Sequence, residues 1–261
     1  MTATLASLSA VNTVSPAGLP VLAAARGINK MDIVYTLRDK YDSEELRFSL
    51  RSLKNIPHDK VFFVGGCPRL AKNIIHIRTE QTGTKYKNTT NNLITACNDP
   101  RISANFILMN DDFFILEKTG PKELNFYNGT VQSNIDGRLK KYPNGNPYIR
   151  GMIQTKEFLQ GIGIAEPLSY ELHIPIVLNK KKFLKIYDLP GVDSIPCFHK
   201  RTVYGNLYLK GGNDTRDVKV FGGDGFLPKK IGQFLSCDDM GFYVLHNFLV
   251  NKFPQKSIYE I

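Results

Sequence analysis

Phe106-Ile107-Leu108-Met109-Asn110-Asp111-Asp112-Phe113-Phe114-Ile115-Leu116 is an apolar stretch broken once, by an amide and two adjacent carboxylates. Carboxylates in such surroundings cost free energy unless a positive charge neutralises them. Four apolar residues that stop at Asp111-Asp112 read as a buried strand with hard oxygen ligands at its carboxyl end. Open α/β sheets bind nucleotides at that end, and divalent cations take such ligands. The pair also fits a plain strand end whose side chains point to water or cap the next turn, so the flanking sequence has to decide.

Working outward, strands and helices alternate. Met31 to Thr36 reads as a first buried strand, Val61 to Val64 (closed by Gly65-Gly66) as a second, and Ile74 to Arg78 as a third. Between the first two, Asp42-Ser43-Glu44-Glu45 is a capping-box pattern. Leu46, Leu50 and Leu53 follow on one helical face and Arg47, Arg51 and Lys54 on another, until Pro57 stops the helix. Thr89 to Cys97 reads as a helix ended by Asp99-Pro100. This alternation predicts an α/β fold with a mostly parallel, Rossmann-like sheet and helices on both faces. From 118 to 150 periodicity is lost among Gly, Pro, Asn and Tyr, the mark of a functional loop. Lys180 to Tyr187 reads as a helix, 205–227 as Gly-rich loop, and Asp238 as the cap of a last helix that buries Phe242, Leu245, Phe248 and Leu249. The economical division is a poorly ordered extension over 1–30 and one domain over 31–261, split into a first half (31–117) and an irregular second half (118–261).

Composition narrows the classes. There is no apolar run of about 18 residues, so no transmembrane helix is expected. Cys67, Cys97, Cys197 and Cys237 are far apart with no C-x-x-C pair, which argues against a zinc site and for a reducing, cytoplasmic setting. The formal net charge is +10. Residues 179–219 hold nine Lys or Arg against four acids, which points to a polyanionic partner or simply to a well-solvated surface. There is no G-x-x-x-x-G-K-[ST] string, hence no support for a P-loop ATPase.

A parallel sheet with an Asp pair after its fourth strand describes the nucleotide-sugar half of a GT-A glycosyltransferase. Five strings go further: Ile33-Val34-Tyr35-Thr36, Glu45 to Leu53 (ELRFSLRSL), Val64-Gly65-Gly66, Asn91-Asn92, and Phe106 to Phe114 (FILMNDDFF). In this order they resemble the Stealth family of sugar-phosphate transferases, which act in bacterial capsule synthesis and include the lysosomal-enzyme GlcNAc-phosphotransferase. The resemblance covers residues 31–117, with fainter echoes at Glu171-Leu172-His173-Ile174-Pro175 and Ser236-Cys237-Asp238-Asp239. Where the family's first motif continues with Trp and a further Asp-Gly, this chain has Leu37-Arg38-Asp39-Lys40, and it contains no Trp. Hexose-1-phosphate transfer and ordinary glycosyl transfer both fit such a scaffold.

The chemistry of a nucleotide-sugar transferase assigns expected roles. Asp111 and Asp112 would hold a divalent metal, Mn or Mg, that bridges the donor diphosphate, and Asn110 would position a ligand water or the sugar. Arg47 and Arg51 would reach the diphosphate as bidentate donors, or form a solvated helix face. Tyr35 and Thr36 would contact the base, or pack in the core, and Arg38 would meet ribose or phosphate. Asp112, His173 and Glu171 are the candidate catalytic groups, with Glu166 a rival base. A UDP-sugar is the expected donor. Lys180, Lys181, Lys182, Lys200 and Arg201 would bind a polyanionic acceptor such as hydroxymethylated DNA in a phage-infected cell or a bacterial surface polysaccharide. The alternatives are a non-catalytic basic nucleic-acid-binding module and a metal-dependent phosphotransferase or nuclease.

Overall fold

In the computed structural model the described residues are 30–39, 43–225 and 231–261. The extension expected over 1–30 therefore lies, but for Lys30, outside the described residues. Strand β1 (Met31–Leu37) runs parallel to β2 (His58–Gly65) on one side and to β4 (Asn105–Met109) on the other. Beyond β2 lies β3 (Ile75–Ile77), also parallel, and beyond β4 lies β7 (Ile176–Asn179), antiparallel, so the order is β3-β2-β1-β4-β7. The fold class is α/β with a mostly parallel sheet, as the alternation predicts.

Side-chain alternation along β1 builds two cores. Ile33, Tyr35 and Leu37 face α1 (Glu44–Ser52), packing with Leu46, Leu50 and Leu53. Val34 faces the other side, with Leu93 and Ala96 of α2 (Lys85–Asn98) and Phe183 and Ile186 of α5 (Lys180–Tyr187). Ser43 is the N-cap of α1, its hydroxyl accepting from the Leu46 N–H at 3.3 Å and donating to Glu45 at 3.0 Å. Helix α2 starts at Lys85 behind a Thr84 cap, one turn before the expected Thr89.

After β4 the chain turns sharply, the Phe113 N–H donating to the Asn110 carbonyl at 3.2 Å. It then enters a second sheet in which β10 (Phe234–Cys237) lies between β5 (Phe113–Ile115), antiparallel, and β9 (Lys219–Val220), parallel. Helix α7 (Gly241–Lys252) closes this sheet with Phe242, Leu245 and Leu249. The Asp pair is thus the corner between the two sheets.

Two expectations are corrected. The stretch 118–150 carries α3 (Val131–Lys141) and the first turn of α4 (Pro147–Gly161). Helix α3 escapes periodicity because it buries only Val131 and Ile135, too narrow a stripe to stand out from its polar residues. The stretch 205–227 is not all loop. It follows α6 (Lys200–Tyr204), opens with a π-helical turn over Gly205–Leu209, and contributes β9 and a two-residue ribbon of β6 (Phe126–Tyr127) with β8 (Asn213–Asp214). Among the described residues no helix is long and apolar enough to cross a membrane, and all four cysteines are free.

Arg47 and Arg51 are placed by the C-terminal segment. Arg51 binds Glu260 through two nitrogens, at 2.8 and 2.9 Å, and donates to the Phe253 carbonyl at 3.0 Å. Arg47 reaches the same carboxylate at 3.4 Å and pairs with Glu44 at 3.1 Å. The Glu260 side chain is fully buried. Burial works against its charge, but the two guanidiniums and the Ser257 N–H outweigh that and hold its pKa below the usual glutamate range. The expected diphosphate role of these arginines is corrected by this geometry: their donors face a carboxylate of the fold. Arg51→Ala leaves the buried carboxylate with the Ser257 N–H and a long contact to Arg47, and urea unfolding should show a loss of about 3 kcal/mol at pH 7. A depressed acid pKa stabilises the fold above the unfolded value and loses that stabilisation as pH falls through the folded value. The penalty of Arg51→Ala should therefore shrink on acidification below about 4.5, the ordinary glutamate value. A loss under 0.5 kcal/mol at neutral pH would show the pair to be ornamental.

Candidate active site

The strand order reverses at β1. The chain goes from β1 outward to β2 and β3, then returns to place β4 on the opposite side of β1. The carboxyl ends of β1 and β4 flank this reversal, which is where open α/β sheets leave a crevice for ligands. Leu37-Arg38-Asp39 leaves one strand and Asn110-Asp111-Asp112 the other, so both sequence motifs meet at one place. Gly65 and Gly66 press against the first segment. Gly65 has φ +108°, and a Cβ at either glycine would collide with the Leu37 or Arg38 carbonyl. The Leu37 carbonyl accepts from the Gly66 N–H at 3.1 Å, from Gln81 at 2.7 Å and from Asn92 at 3.3 Å.

A cleft of about 330 Å³ opens over the Asp pair, lined by Arg38, Glu45, Asp111, Asp112, Lys219 and Asp239 among others. Asp112 Oδ2 pairs with Lys219 Nζ at 3.0 Å and accepts from the Ser236 hydroxyl at 3.4 Å. Asp238, at the rim, accepts from the Gly241 N–H at 2.6 Å and the Gly222 N–H at 3.1 Å, so it caps α7 as its sequence position predicts. Asp111 is less well compensated. Burial first, then the charges of Asp112 and Glu45, raise its pKa from 3.8 to about 6, against its own backbone N–H and Arg38. Among the described residues no group of three His, Cys, Asp or Glu side chains is arranged to hold a metal. The donor chemistry nonetheless fits a hard cation: adjacent carboxylate oxygens, one of them half-buried among like charges and short of positive charge.

A second cleft of about 300 Å³ shares Arg38 with the first and runs between β1 and α2, past Thr36, Asp39, Gln81, Lys85 and Asn88. The Thr36 hydroxyl on its wall is buried and has no hydrogen-bond partner. Buried polar groups are almost always paired, so this hydroxyl is an exception beside a cleft.

The remaining expected site residues separate into those at the clefts and those in the fold. Tyr35 is in the core, fully buried under α1, with its hydroxyl on Ser49 at 2.9 Å and its ring edge-on to Phe63. Its expected base-stacking role is corrected, because strand alternation turns Tyr35 away from the face that Thr36 meets. Asn110 spends its carbonyl on the turn. His173 lines neither cleft. Its Nδ1 lies 2.6 Å from Asp217 and its ring packs edge-on against Phe113, the residue after Asp112.

Glu171 accepts from the Arg201 N–H at 2.9 Å and the Thr202 N–H at 3.2 Å. Burial raises its pKa, but His199, Arg201 and Lys200 bring it below the usual value, so it is a buried anion rather than a proton acceptor at a cleft. The expected basic acceptor surface is largely dismantled. Lys180 donates to the Ile102 carbonyl at 3.0 Å and to that of Asp99. Arg201 is buried on the Ile174 carbonyl and Phe113. Lys200 has its pKa lowered by burial, against the pull of Glu171. Lys181 stays exposed and Lys182 lies over Tyr208. Lys219 and Asp217 have no local sequence signal, because segments distant in sequence bring them in, and Glu45 and Ser236, although each stands in a motif string, have no site role expected of them.

No protein-family model matches this chain, and no curated protein does. Among solved structures it is similar to the galactosyltransferase LgtC in complex with donor and acceptor sugar analogues. The identity is 14%, the coverage 73% of this chain and 76% of that one, and the TM-score 0.42. It is also similar to the glycosyltransferase GlyE of Streptococcus pneumoniae TIGR4, with 10% identity, 72% and 45% coverage and a TM-score of 0.34. At this distance the likenesses bear on neither activity nor substrate.

The electrostatics of Asp111 have a stability consequence. A carboxyl whose folded pKa lies above its unfolded one favours folding only while protonated, and it opposes folding increasingly as pH rises from 3.8 towards 6. Asp111→Asn should therefore raise stability at pH 7, on the order of 1–2 kcal/mol, with the gain fading towards pH 4. Thermal unfolding of both proteins at the two pH values measures this. An Asn variant less stable than wild type at pH 7 would mean that Asp111 has a partner after all.

Proposed function

We propose that the protein transfers a sugar from a nucleotide sugar to a hydroxyl acceptor, with a divalent cation at Asp111 and Asp112. The observation that carries this reading is the poorly compensated carboxylate of Asp111, adjacent to Asp112 at the reversal of the strand order, beside a cleft whose wall holds the orphan hydroxyl of Thr36. In this reading the nucleoside lies in the cleft between β1 and α2, where Thr36 supplies the hydrogen bond that it lacks within the protein. Arg38, common to both clefts, and Lys219 face the diphosphate. Mn or Mg bound at the Asp pair would neutralise phosphate oxygens and stabilise the leaving charge.

The protein's residues then serve one displacement. The acceptor oxygen bonds to the anomeric carbon as the bond from that carbon to the diphosphate oxygen breaks. The nucleoside diphosphate leaves with the electron pair, and the acceptor proton passes to a carboxylate at the cleft mouth, Glu45 or Asp239. Transfer of the sugar-1-phosphate would use the same cleft with attack at phosphorus instead. UDP-sugars remain the expected donors. The non-catalytic nucleic-acid-binding reading explains the +10 charge. It gives no reason for five carboxylates around the cleft, which would repel a phosphate backbone.

Thermal denaturation with UDP-, GDP- and CMP-sugars, each with Mn²⁺, Mg²⁺ or EDTA, tests the reading. One nucleotide class should raise the melting temperature only when metal is present. Asp112→Ala should abolish the shift, and Thr36→Val should weaken it by the equivalent of about 1 kcal/mol, the worth of one hydrogen bond. Stabilisation by duplex DNA in a salt-sensitive manner, with no response to any nucleotide sugar, would transfer the protein to the binding-module class.

A further inference from the structure

A third depression, of about 610 Å³, adjoins the Asp-pair cleft and shares Glu45, Asp239 and Met240 with it. Its other walls are Phe242, Tyr243 and His246 from the first turns of α7, and Ser43 and Glu44 from the start of α1. Tyr243 is 76% exposed and Met240 65%. Tyr243 is the most exposed large apolar side chain among the described residues, and it stands at the mouth of the cleft where the chemistry is proposed.

The platform beneath it is rigid. Phe242, Leu245 and Leu249 anchor α7 in the core of the second sheet. Asp238 caps its first N–H, and Gly241 packs so closely on the Val220 carbonyl that no side chain would fit there. His246 is held edge-on between Phe48 and Phe242. An exposed aromatic ring on a fixed helix end, facing carboxylates, is therefore presented to something outside the protein.

We propose that this depression is the acceptor subsite and that the acceptor it takes is an uncharged carbohydrate. The proposal rests on the transferase reading and names its second substrate. A pyranose has an apolar C–H face that packs on an aromatic ring, and hydroxyls that donate in pairs to carboxylates. Tyr243 supplies the ring, and Glu45 and Asp239 supply the acceptors at the junction of the two depressions. The same carboxylates, with Glu44 beside them, repel a polyanion. The basic residues expected to bind one are elsewhere, and Lys180 and Arg201 spend their charge inside the fold. The subsite thus selects against the acceptor that the net charge of the chain suggests.

The chain contains no Trp, so Tyr243→Trp places a single fluorescent reporter on the platform, at an exposed position that tolerates it. Methyl glucoside, lactose and N-acetylglucosamine are titrated into this variant with UDP and Mn²⁺ present, alongside heparin oligosaccharide and single-stranded DNA as charged probes. A saturable emission change with at least one neutral sugar, absent with the charged probes, is the expected result. No response to any neutral sugar in a protein that still shows the nucleotide-dependent thermal shift overturns the proposal, as does a response to the charged probes alone. Neutral-sugar binding without any nucleotide-dependent shift keeps the subsite and removes the donor reading. In transfer assays Tyr243→Ala should raise the acceptor KM roughly three- to tenfold, the worth of one aromatic contact, while the nucleotide-dependent thermal shift stays at its wild-type size. An unchanged acceptor KM would overturn it.

Discussion

The carbonyl oxygen of Leu37 is the point on which the site is hung. Strand β1 is paired along both edges and buried on both faces, and the chain must leave the sheet at its end. Leu37 carries the last carbonyl of the strand, and it receives three donors, from Gly66, Gln81 and Asn92. A carbonyl has two lone pairs, so this oxygen is fully subscribed. The three donors come from the end of β2, from the segment after β3 and from α2. One atom therefore registers three segments, two of which line the second cleft, through Gln81 and through Asn92 of α2, and Gly65-Gly66 is the pair without Cβ atoms that lets β2 come close enough. Asn92 also accepts from Thr79 at 2.6 Å and donates to the Val64 carbonyl at 3.1 Å, which fixes the amide in place.

On the other side of the reversal, the second sheet does for β4 what α2 does for β1. It takes the chain away from Asp112 through β5 and brings back Ser236 on β10 and Lys219 on β9 to meet the Asp112 carboxylate. Charge is thus segregated within a strongly basic chain. The cleft gathers Glu45, Asp111, Asp112 and Asp239 against Arg38 and Lys219, while much of the basic excess is solvated or used in structural contacts. Net charge describes the whole surface and its long-range field, and not the sign of any one depression.

This is why the two halves of the chain differ in how much of them can be read from sequence. In 31–117 each element is decided by neighbours in sequence: Ile33, Tyr35 and Leu37 alternate, Leu46 and Leu50 repeat at helical spacing, and Asp111-Asp112 interrupts apolar residues. The α/β class, the parallel sheet and the location of the Asp pair at a strand end follow from those local patterns. Beyond Asp112 the deciding contacts are non-local. Strand β9 is two residues long and pairs with a strand some 17 residues later, and α3 buries too little for a stripe to show. Lys219 accordingly carries no local signal, and a histidine flanked by apolar residues, His173, looks catalytic although its partner is Asp217. Tyr35 and Thr36 are adjacent, yet period two sends one to the core and the other to a cleft wall.

Polar groups inside this protein sort by whether the fold completes them. Glu260 has Arg51 and Arg47, Glu171 has two backbone N–H groups with Lys200, Arg201 and His199 nearby, and Asp217 has the backbone N–H and Nδ1 of His173. Each of these carboxylates keeps its charge because of those partners, and burial is offset on the spot. Asp111 and Thr36 differ. Burial and two like charges push the Asp111 carboxyl up, and the Thr36 hydroxyl donates to nothing. Such groups oppose folding, a cost that the proposed ligand would recover. They stand at the ends of adjacent strands, on either side of Arg38, the side chain common to both clefts. A ligand that completes both must present a hydrogen-bonding group at one end and attract a cation at the other, with negative charge between them for Arg38. A nucleoside joined to a diphosphate has that order of parts, and the proposed donor rests on this arrangement of incomplete groups more than on the acidic pair alone.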